Sequence, residues 1–379
     1  MALSPEAQDE INRFAHKQHE QSWRLEYKSE KAVCFFFAPM KTWKNLYSRI
    51  TSFENLLSAA RKAAKCKRQT PGVLNFFYHL EDELWALHHE LREKIWQPGQ
   101  YHTFFIYSPK HRMISAAPFR DRVVHHALIN AIGPLMENSM IFDSYANRKG
   151  KGTHKAIARY QHYLRRYRYV LKCDIRKFFP SIDHEILKSL LTIKIACPGT
   201  RWLVEAVIDS SNPQDSPLDY FFCDTLFTPL ERRRGLPIGN LTSQFFANYF
   251  LNGFDHFVKE RLHCKGYVRY VDDFVLFSNS KEELRQWEKE IEAYLETLRL
   301  KLNPKRTVLY PSSEGRPFLG QIVYPSHCML PSANVRAFKK KLKAFESASP
   351  EKRQLSIAGW TGHARQADTR RLLWSLGVG

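Results

Sequence analysis

The chain has 379 residues, 44% hydrophobic and 13% aromatic, too apolar for intrinsic disorder and long enough for two or three cored units. Its 58 Lys and Arg against 38 Asp and Glu leave a net charge of +20, which favours a polyanionic partner. No run of about 18 apolar residues occurs, which rules out a transmembrane helix, and seven cysteines without a Cys-x-x-Cys pair indicate neither a disulfide framework nor a zinc knuckle. A reduced, cytoplasmic setting is expected, with no secretory signal near Met1, no prenylation box at Gly377-Val378-Gly379 and no membrane partner.

In chain order, residues 1–60 run from polar, through Phe35-Phe36-Phe37, to an amphipathic helix over 43–60. Thr70-Pro71-Gly72 breaks the pattern, and apolar residues from Phe76 to Ile95 at three- and four-residue spacing predict one helix over 73–95. Alternation over 101–107 predicts a strand with 112–116 as its hairpin partner, then a helix from Asp121 to about Met136. A β-rich run covers 169–174, and Ser181 or Asp183 caps a helix through Leu191. Residues 194–234, with Pro198, Pro213, Pro217 and Pro229, read as irregular. A helix over 242–262, a strand–turn–strand over 267–277 and a helix over 281–299 follow, and the last 50 residues read as a basic helical bundle joined through 347–350.

Positive charge concentrates over 108–172, with 13 Lys and Arg against 3 acids, and again beyond Pro331, with 10 against 3. In the first block Tyr160, Tyr163, Tyr167 and Tyr169 fall among Arg159, Arg165, Arg166 and Arg168. Two readings fit: a single strand held by base stacking and phosphate neutralisation, or a solvated basic helix face with tyrosines packed beneath it.

The most informative segment runs from Gly266 to Phe277, where two apolar runs flank Asp272-Asp273. Asp is depleted in strands and favoured in turns, so the pair belongs at a hairpin tip, and flanks this apolar make the hairpin a buried one. Two adjacent carboxylates repel unless a cation separates them. A second β-rich run ends in Asp174. If the two segments are neighbours in one sheet, Asp174, Asp272 and Asp273 converge, and such a carboxylate set suits two Mg²⁺ ions about 3.5–4 Å apart, with Mn²⁺ as a substitute.

At these residues the chain resembles the reverse transcriptases. Tyr270-Val271-Asp272-Asp273 is similar to their Tyr-x-Asp-Asp box, Asp174 with Phe178-Phe179 to their first carboxylate motif, and Pro118 to Val124 to a fingers motif of group II intron and other bacterial enzymes. Asn303 to Thr307 resembles the fourth palm motif, and Phe318-Leu319-Gly320 the primer grip before a helical thumb. The resemblance implies an α+β right-hand polymerase. Residues 1–50 would form an extension that braces the fingers or binds an accessory protein. Fingers, with part of the palm, would span 51–168, palm 169–320 with a finger/palm insertion at 194–234, and a basic thumb 321–379. It implies Asp174, Asp272 and Asp273 as catalytic, and these with Ile175 as holding the metals. Lys110, Arg112, Phe178, Phe179 (as steric gate), Ile238, Gly239, Gln244 and Lys305 would bind the nucleotide. Arg120, Arg122, Tyr270, Phe318, Leu319, Gly320, Lys339, Lys340 and Lys343 would bind template or primer, with Lys341, Arg370 and Arg371 in the same thumb surface; Arg120 and Arg122 are as readily structural.

One segment departs from the common pattern. Gly235 to Gln244 stands where most of the family carry Gln-Gly-x-x-x-Ser-Pro, with Ile238 in place of the glutamine and Gln244 in place of the proline. Gly239 still allows close backbone approach and Ser243 can still cap a helix, but isoleucine offers no hydrogen bond and the rigid proline is lost. This variant, with Tyr145 to His154, resembles the enzymes of diversity-generating retroelements, which copy a template RNA into cDNA with errors at template adenines. That likeness implies deoxynucleotides, a template RNA, the RNA/cDNA duplex and a small basic, oligomeric, helical accessory protein as partners. The alternative is a faithful or template-independent enzyme of a group II intron-like or phage-defence system. A non-catalytic scaffold would not need the three acids, a nucleotidyl cyclase would not need the basic tail, and a two-metal nuclease would not need the steric gate.

Overall fold

The computed structural model describes residues 42–107, 111–222, 224–344 and 350–378. Phe35–Phe37, Lys110, the 347–349 link and the side chain of Lys343 lie outside this description. The chain is α+β, with its strands in three antiparallel sheets.

The N-terminal helices are shorter than the periodicity predicts. Ser52 accepts a hydrogen bond from the Asn55 amide (3.3 Å), so the expected single helix divides into Tyr47–Thr51 and Phe53–Ala63. The 73–95 helix likewise breaks at His79 (φ −107°, ψ 34°) into Pro71–Tyr78 and Leu80–Arg92. Glu81, Asp82 and Glu83 then occupy a first turn, where the helix dipole favours negative charge. The hairpin follows as expected: β1 (His102–Ile106) pairs with β2 (Arg112–Ala116), and helix Phe119–Glu137 follows and packs on helices Phe53–Ala63 and Leu241–Phe250. All five β1 residues are exposed.

The central sheet has the order β4 (Gly266–Tyr270), β5 (Asp273–Ser278), β3 (Tyr169–Asp174), β6 (Val308–Pro311). Its pleat sends alternate residues into two cores. Leu171, Cys173, Phe274 and Leu276 enter the large core shared with the N-terminal helices. Val170, Val275 and Phe277 face a second core with helix Thr153–Leu164 and Phe318. Tyr160 and Tyr163 are buried in this second core, so of the two readings of the basic block the packed one holds for them. Tyr160 stacks on Phe318 at 4.5 Å and shares a 2.6 Å hydroxyl contact with Tyr310.

Asp183, not Ser181, caps helix His184–Thr192, accepting from the amides of Glu185 and Ile186. The 194–234 segment is less irregular than its prolines predict. Pro198 occupies the first turn of helix Pro198–Asp209, where its missing N–H costs nothing. The 242–262 helix breaks at Leu251 and ends in a π turn, Phe257–Arg261. Helix Lys281–Thr297 follows, capped by Ser280. A third sheet, β7 (Arg316–Phe318), β8 (Gln321–Val323) and β9 (Cys328–Met329), precedes helices Ser332–Ala344, Pro350–Ala364 and Arg370–Ser375.

Candidate active site

The register of β3 on β5 sets Asp174 directly opposite Asp273, and β4 on β5 pairs Tyr270 with Asp273. Val271 and Asp272 are therefore the two central residues of a tight hairpin turn. Val271 has φ 60°, a left-handed conformation that costs a β-branched residue about 1–3 kcal/mol. Two bonds to main-chain carbonyls, one from a backbone amide and one from the Arg269 guanidinium, hold the turn there. The Ile175 amide donates to the Asp272 carbonyl (3.3 Å), and Arg269 donates to the Val271 carbonyl (3.0 Å).

Arg269 is the largest fully buried side chain among the described residues, at 0% exposure. Its guanidinium forks onto Asp255 with two 2.6 Å bonds and also donates to the side chain and carbonyl of Asn248 (3.0 and 3.1 Å). Tyr267 donates to the same Asp255 at 2.8 Å. A buried pair satisfied this completely fixes its surroundings, and here they include the acidic turn. Reasoning from sequence alone misses this knot, although an arginine inside an apolar strand run was a visible signal.

The three carboxylates converge, as expected. Burial first, and then the charges of Asp174 and Asp273, push the Asp272 carboxyl up to about 6, with Arg112 opposing. Burial also raises Asp273, against the pull of Lys172, whose ammonium lies 3.3 Å away. Asp174 accepts from Asn303 (3.0 Å) and is ion-paired with Arg306 (3.3 Å). Among the described residues, however, no three acids, histidines or cysteines are placed as a finished metal cage. The donor set nevertheless suits a hard cation: the buried Oδ1 of Asp273 has no partner, and Asp272 is held up by burial and by like charge, which a cation would relieve.

Several expected contacts are otherwise. Phe178 is buried in the main core, so it backs the site and does not touch a nucleotide; half-buried Phe179 is the aromatic left at the edge. The Ile175 side chain is buried too, leaving only its main chain to act. Arg120 is spent on Glu83 (3.0 Å) and on both oxygens of Glu90 (2.7 and 2.8 Å), and Arg122 donates to the Ala117 carbonyl (2.8 Å), so both take the structural alternative. Phe318 is core, stacked on Tyr160, while Leu319 (φ 47°) and Gly320 (φ 87°) form the β7–β8 turn. Lys305 is exposed, and it is its neighbour Arg306 that reaches Asp174. The Tyr270 hydroxyl contacts Thr153 (3.2 Å). Lys339 and Lys340 are exposed on helix Ser332–Ala344.

The 235–244 loop lies against β2. Ser115 donates its amide to the Ile238 carbonyl (2.9 Å), and buried Asn240 accepts from Ala117 (3.1 Å) while donating to Ser115 (2.9 Å). Asn240 is thus a positioning residue that the sequence reading overlooks, and it, not Ser243, precedes helix Leu241–Phe250. Gly239 has φ 123°, and a Cβ there would meet Ile114 at 3.0 Å. Ile238 is half-buried, and Gly239 and Gln244 are exposed.

Residues 105–323 match the family model described as reverse transcriptase (RNA-dependent DNA polymerase). Protein YkfC of Escherichia coli (strain K12) is 26% identical over 323 residues, covering 73% of this chain and 82% of that protein. Among solved structures, apo telomerase from Candida tropicalis aligns with a TM-score of 0.40 and 13% identity, over 60% of this chain and 48% of that one.

Proposed function

The chain belongs to the reverse transcriptase family and is an RNA-directed DNA polymerase; from that premise we propose that it copies a template RNA into adenine-mutagenised cDNA in a diversity-generating retroelement. The observation that carries the finer reading is Ile238 in the strapped loop, with Gln244 after it. A site that hydrogen-bonds its substrate rejects a mispaired analogue far more strongly than an apolar wall does. Isoleucine supplies only the apolar wall.

In this reading residues 51–168 act as fingers, 169–320 as palm and 321–379 as thumb, with the exposed Lys339 and Lys340 against the RNA/cDNA duplex. Asp174, Asp272 and Asp273 would hold two Mg²⁺, which when bound lower the pKa of the primer 3′-hydroxyl and stabilise the departing pyrophosphate. Arg112, close enough to Asp272 to lower its pKa, orients the triphosphate by charge-assisted bonds. Phe179 faces the sugar as steric gate. Arg306 and Lys172 neutralise the carboxylates in the metal-free state and must yield partners to the cations. The template RNA and a small basic accessory protein complete the assembly.

Primer extension on an RNA template with four deoxynucleotides and Mg²⁺, read by sequencing, tests this, with Asp272→Ala as control. Extension with errors clustered opposite adenines is expected. Faithful extension would refute the retroelement reading in favour of an intron-like or defence enzyme, and extension without template would do the same.

A further inference from the structure

Between Ser144 and Cys173 the chain carries nine Lys and Arg and no acid. Part of this stretch lines a concave surface of about 480 Å³ formed by Phe142, Tyr145, Lys151, Lys155, Arg159 and His162. The surface lies outside the catalytic turn, beyond the edge strand β4. The loop before it runs along that edge, with the Tyr145 amide donating to the Arg269 carbonyl (3.0 Å).

Its chemistry is unusually one-sided. Among the described residues neither Lys151 nor Lys155 is ion-paired; their ammoniums donate only to the carbonyls of Phe142 (2.8 Å) and Gly150 (2.6 Å). Arg159 is half-matched, bonded to buried Asp143 (2.9 Å), which Lys259 also engages (3.1 Å). Burial first, and then Arg148, hold the Lys151 ammonium below its usual range, with Lys155 and Arg159 adding to the crowding. At the centre stands Phe142, 67% exposed, with Lys151 at 3.2 Å and Arg159 at 5.8 Å from its ring centre. Unmatched cations around a solvent-facing ring are the elements of single-strand binding: phosphates take the cations and a base takes the ring.

We infer that this groove binds a single-stranded segment of RNA outside the polymerisation cleft. The inference rests on RNA being the polymer that the proposed function copies. Its position beyond β4, with Thr153 of the same helix touching Tyr270 of the catalytic hairpin, sets the bound strand beside the active centre without entering it. An anionic membrane would want a continuous apolar face, and a single exposed ring does not provide one.

The test uses the full chain and a fluorescein-labelled, unstructured RNA of about 20 nucleotides without primer, with anisotropy followed across a salt series. Wild type is compared with the double variant Lys151→Ala/Lys155→Ala and with Phe142→Ala. Loss of two phosphate contacts should reduce the slope of log K against log salt by about 1.4, at about 0.7 per single-strand phosphate. Phe142→Ala should weaken binding about five-fold or more with the slope unchanged. Equal affinity and slope in all three proteins would overturn the inference. So would variants that keep RNA affinity but lose retention on phosphatidylserine vesicles. Wild-type extension of a preformed primer–template is scored separately: a chain that extends nothing yet binds RNA through these side chains would remove the polymerase reading and uphold the groove.

Discussion

Replacing Asp272 with asparagine should make the metal-free protein more stable while abolishing its chemistry. The buried carboxyl titrates at about 6 in the fold against an ordinary 3.8. The folded chain therefore binds the extra proton between these values, and stability falls as pH rises from about 4 to about 6 and stays lower above. At 1.36 kcal/mol per pH unit, the gap is worth about 3 kcal/mol at pH 7. An asparagine of the same size carries no charge and removes that penalty. Unfolding entropy of about 2.1 cal/mol/K per residue gives about 0.8 kcal/mol/K for a chain this long, so the apparent melting temperature in EDTA should rise about 4 °C at pH 7 and little at pH 4. Differential scanning fluorimetry over pH 4–8 measures it. Millimolar Mg²⁺ should stabilise wild type and leave Asp272→Asn nearly unmoved. Equal melting of the two proteins at pH 7 in EDTA, or an undiminished pH slope after the substitution, would refute the claim that an unfavourable buried charge is stored at this turn.

Three other outcomes follow from particular contacts. Arg269→Ala leaves Asp255 buried without its partner and should cost about 3–5 kcal/mol in urea denaturation, whereas loss below about 1 kcal/mol would mean the knot is not structural. Gly239→Ala forces a Cβ onto Ile114 at φ 123° and should lose about 1–3 kcal/mol; an unchanged melting curve would show that the loop is not held against β2. Ile238→Gln with Gln244→Pro should lower misincorporation opposite adenine without lowering extension, and an unaltered error spectrum in sequenced products would place infidelity elsewhere.

The acidic turn was legible because Asp is poorly suited to strand interiors, so a pair between two apolar runs implied a hairpin tip; only Asp272 sits in that turn, Asp273 being the first residue of β5, and the pairing of β3 with β5 was left open by the sequence. The β1–β2 hairpin follows from alternation, and the strands over 169–174 and 267–277 from their β-rich composition. Helix lengths were not legible: His79 and Leu251 are ordinary helix residues, and only tertiary packing decides that the chain bends there. Pro198 misled because proline marks a helix start as readily as a break. Which cation serves which acid was also hidden. Lys305 and Arg306 are neighbours of equal charge, and Arg120 meets Glu83 and Glu90 only once the helices fold together. The tyrosines of the basic block show the same limit, since interleaving with arginine is produced equally by a stacking platform and by a helix with its aromatic side turned inward.

The anchoring of the acidic turn also bears on which substitutions position 271 can accept. Arg269 holds the turn through the carbonyl of Val271, an atom every amino acid possesses. The identity of the residue is thereby uncoupled from the placement of the acid beside it. Position 271 is open to exchange, with residues lighter at Cβ favoured by the left-handed backbone, while the chemistry of Asp272 is passed on intact. The side chain at position 271 and the hold on its acidic neighbour are served by different atoms of one residue.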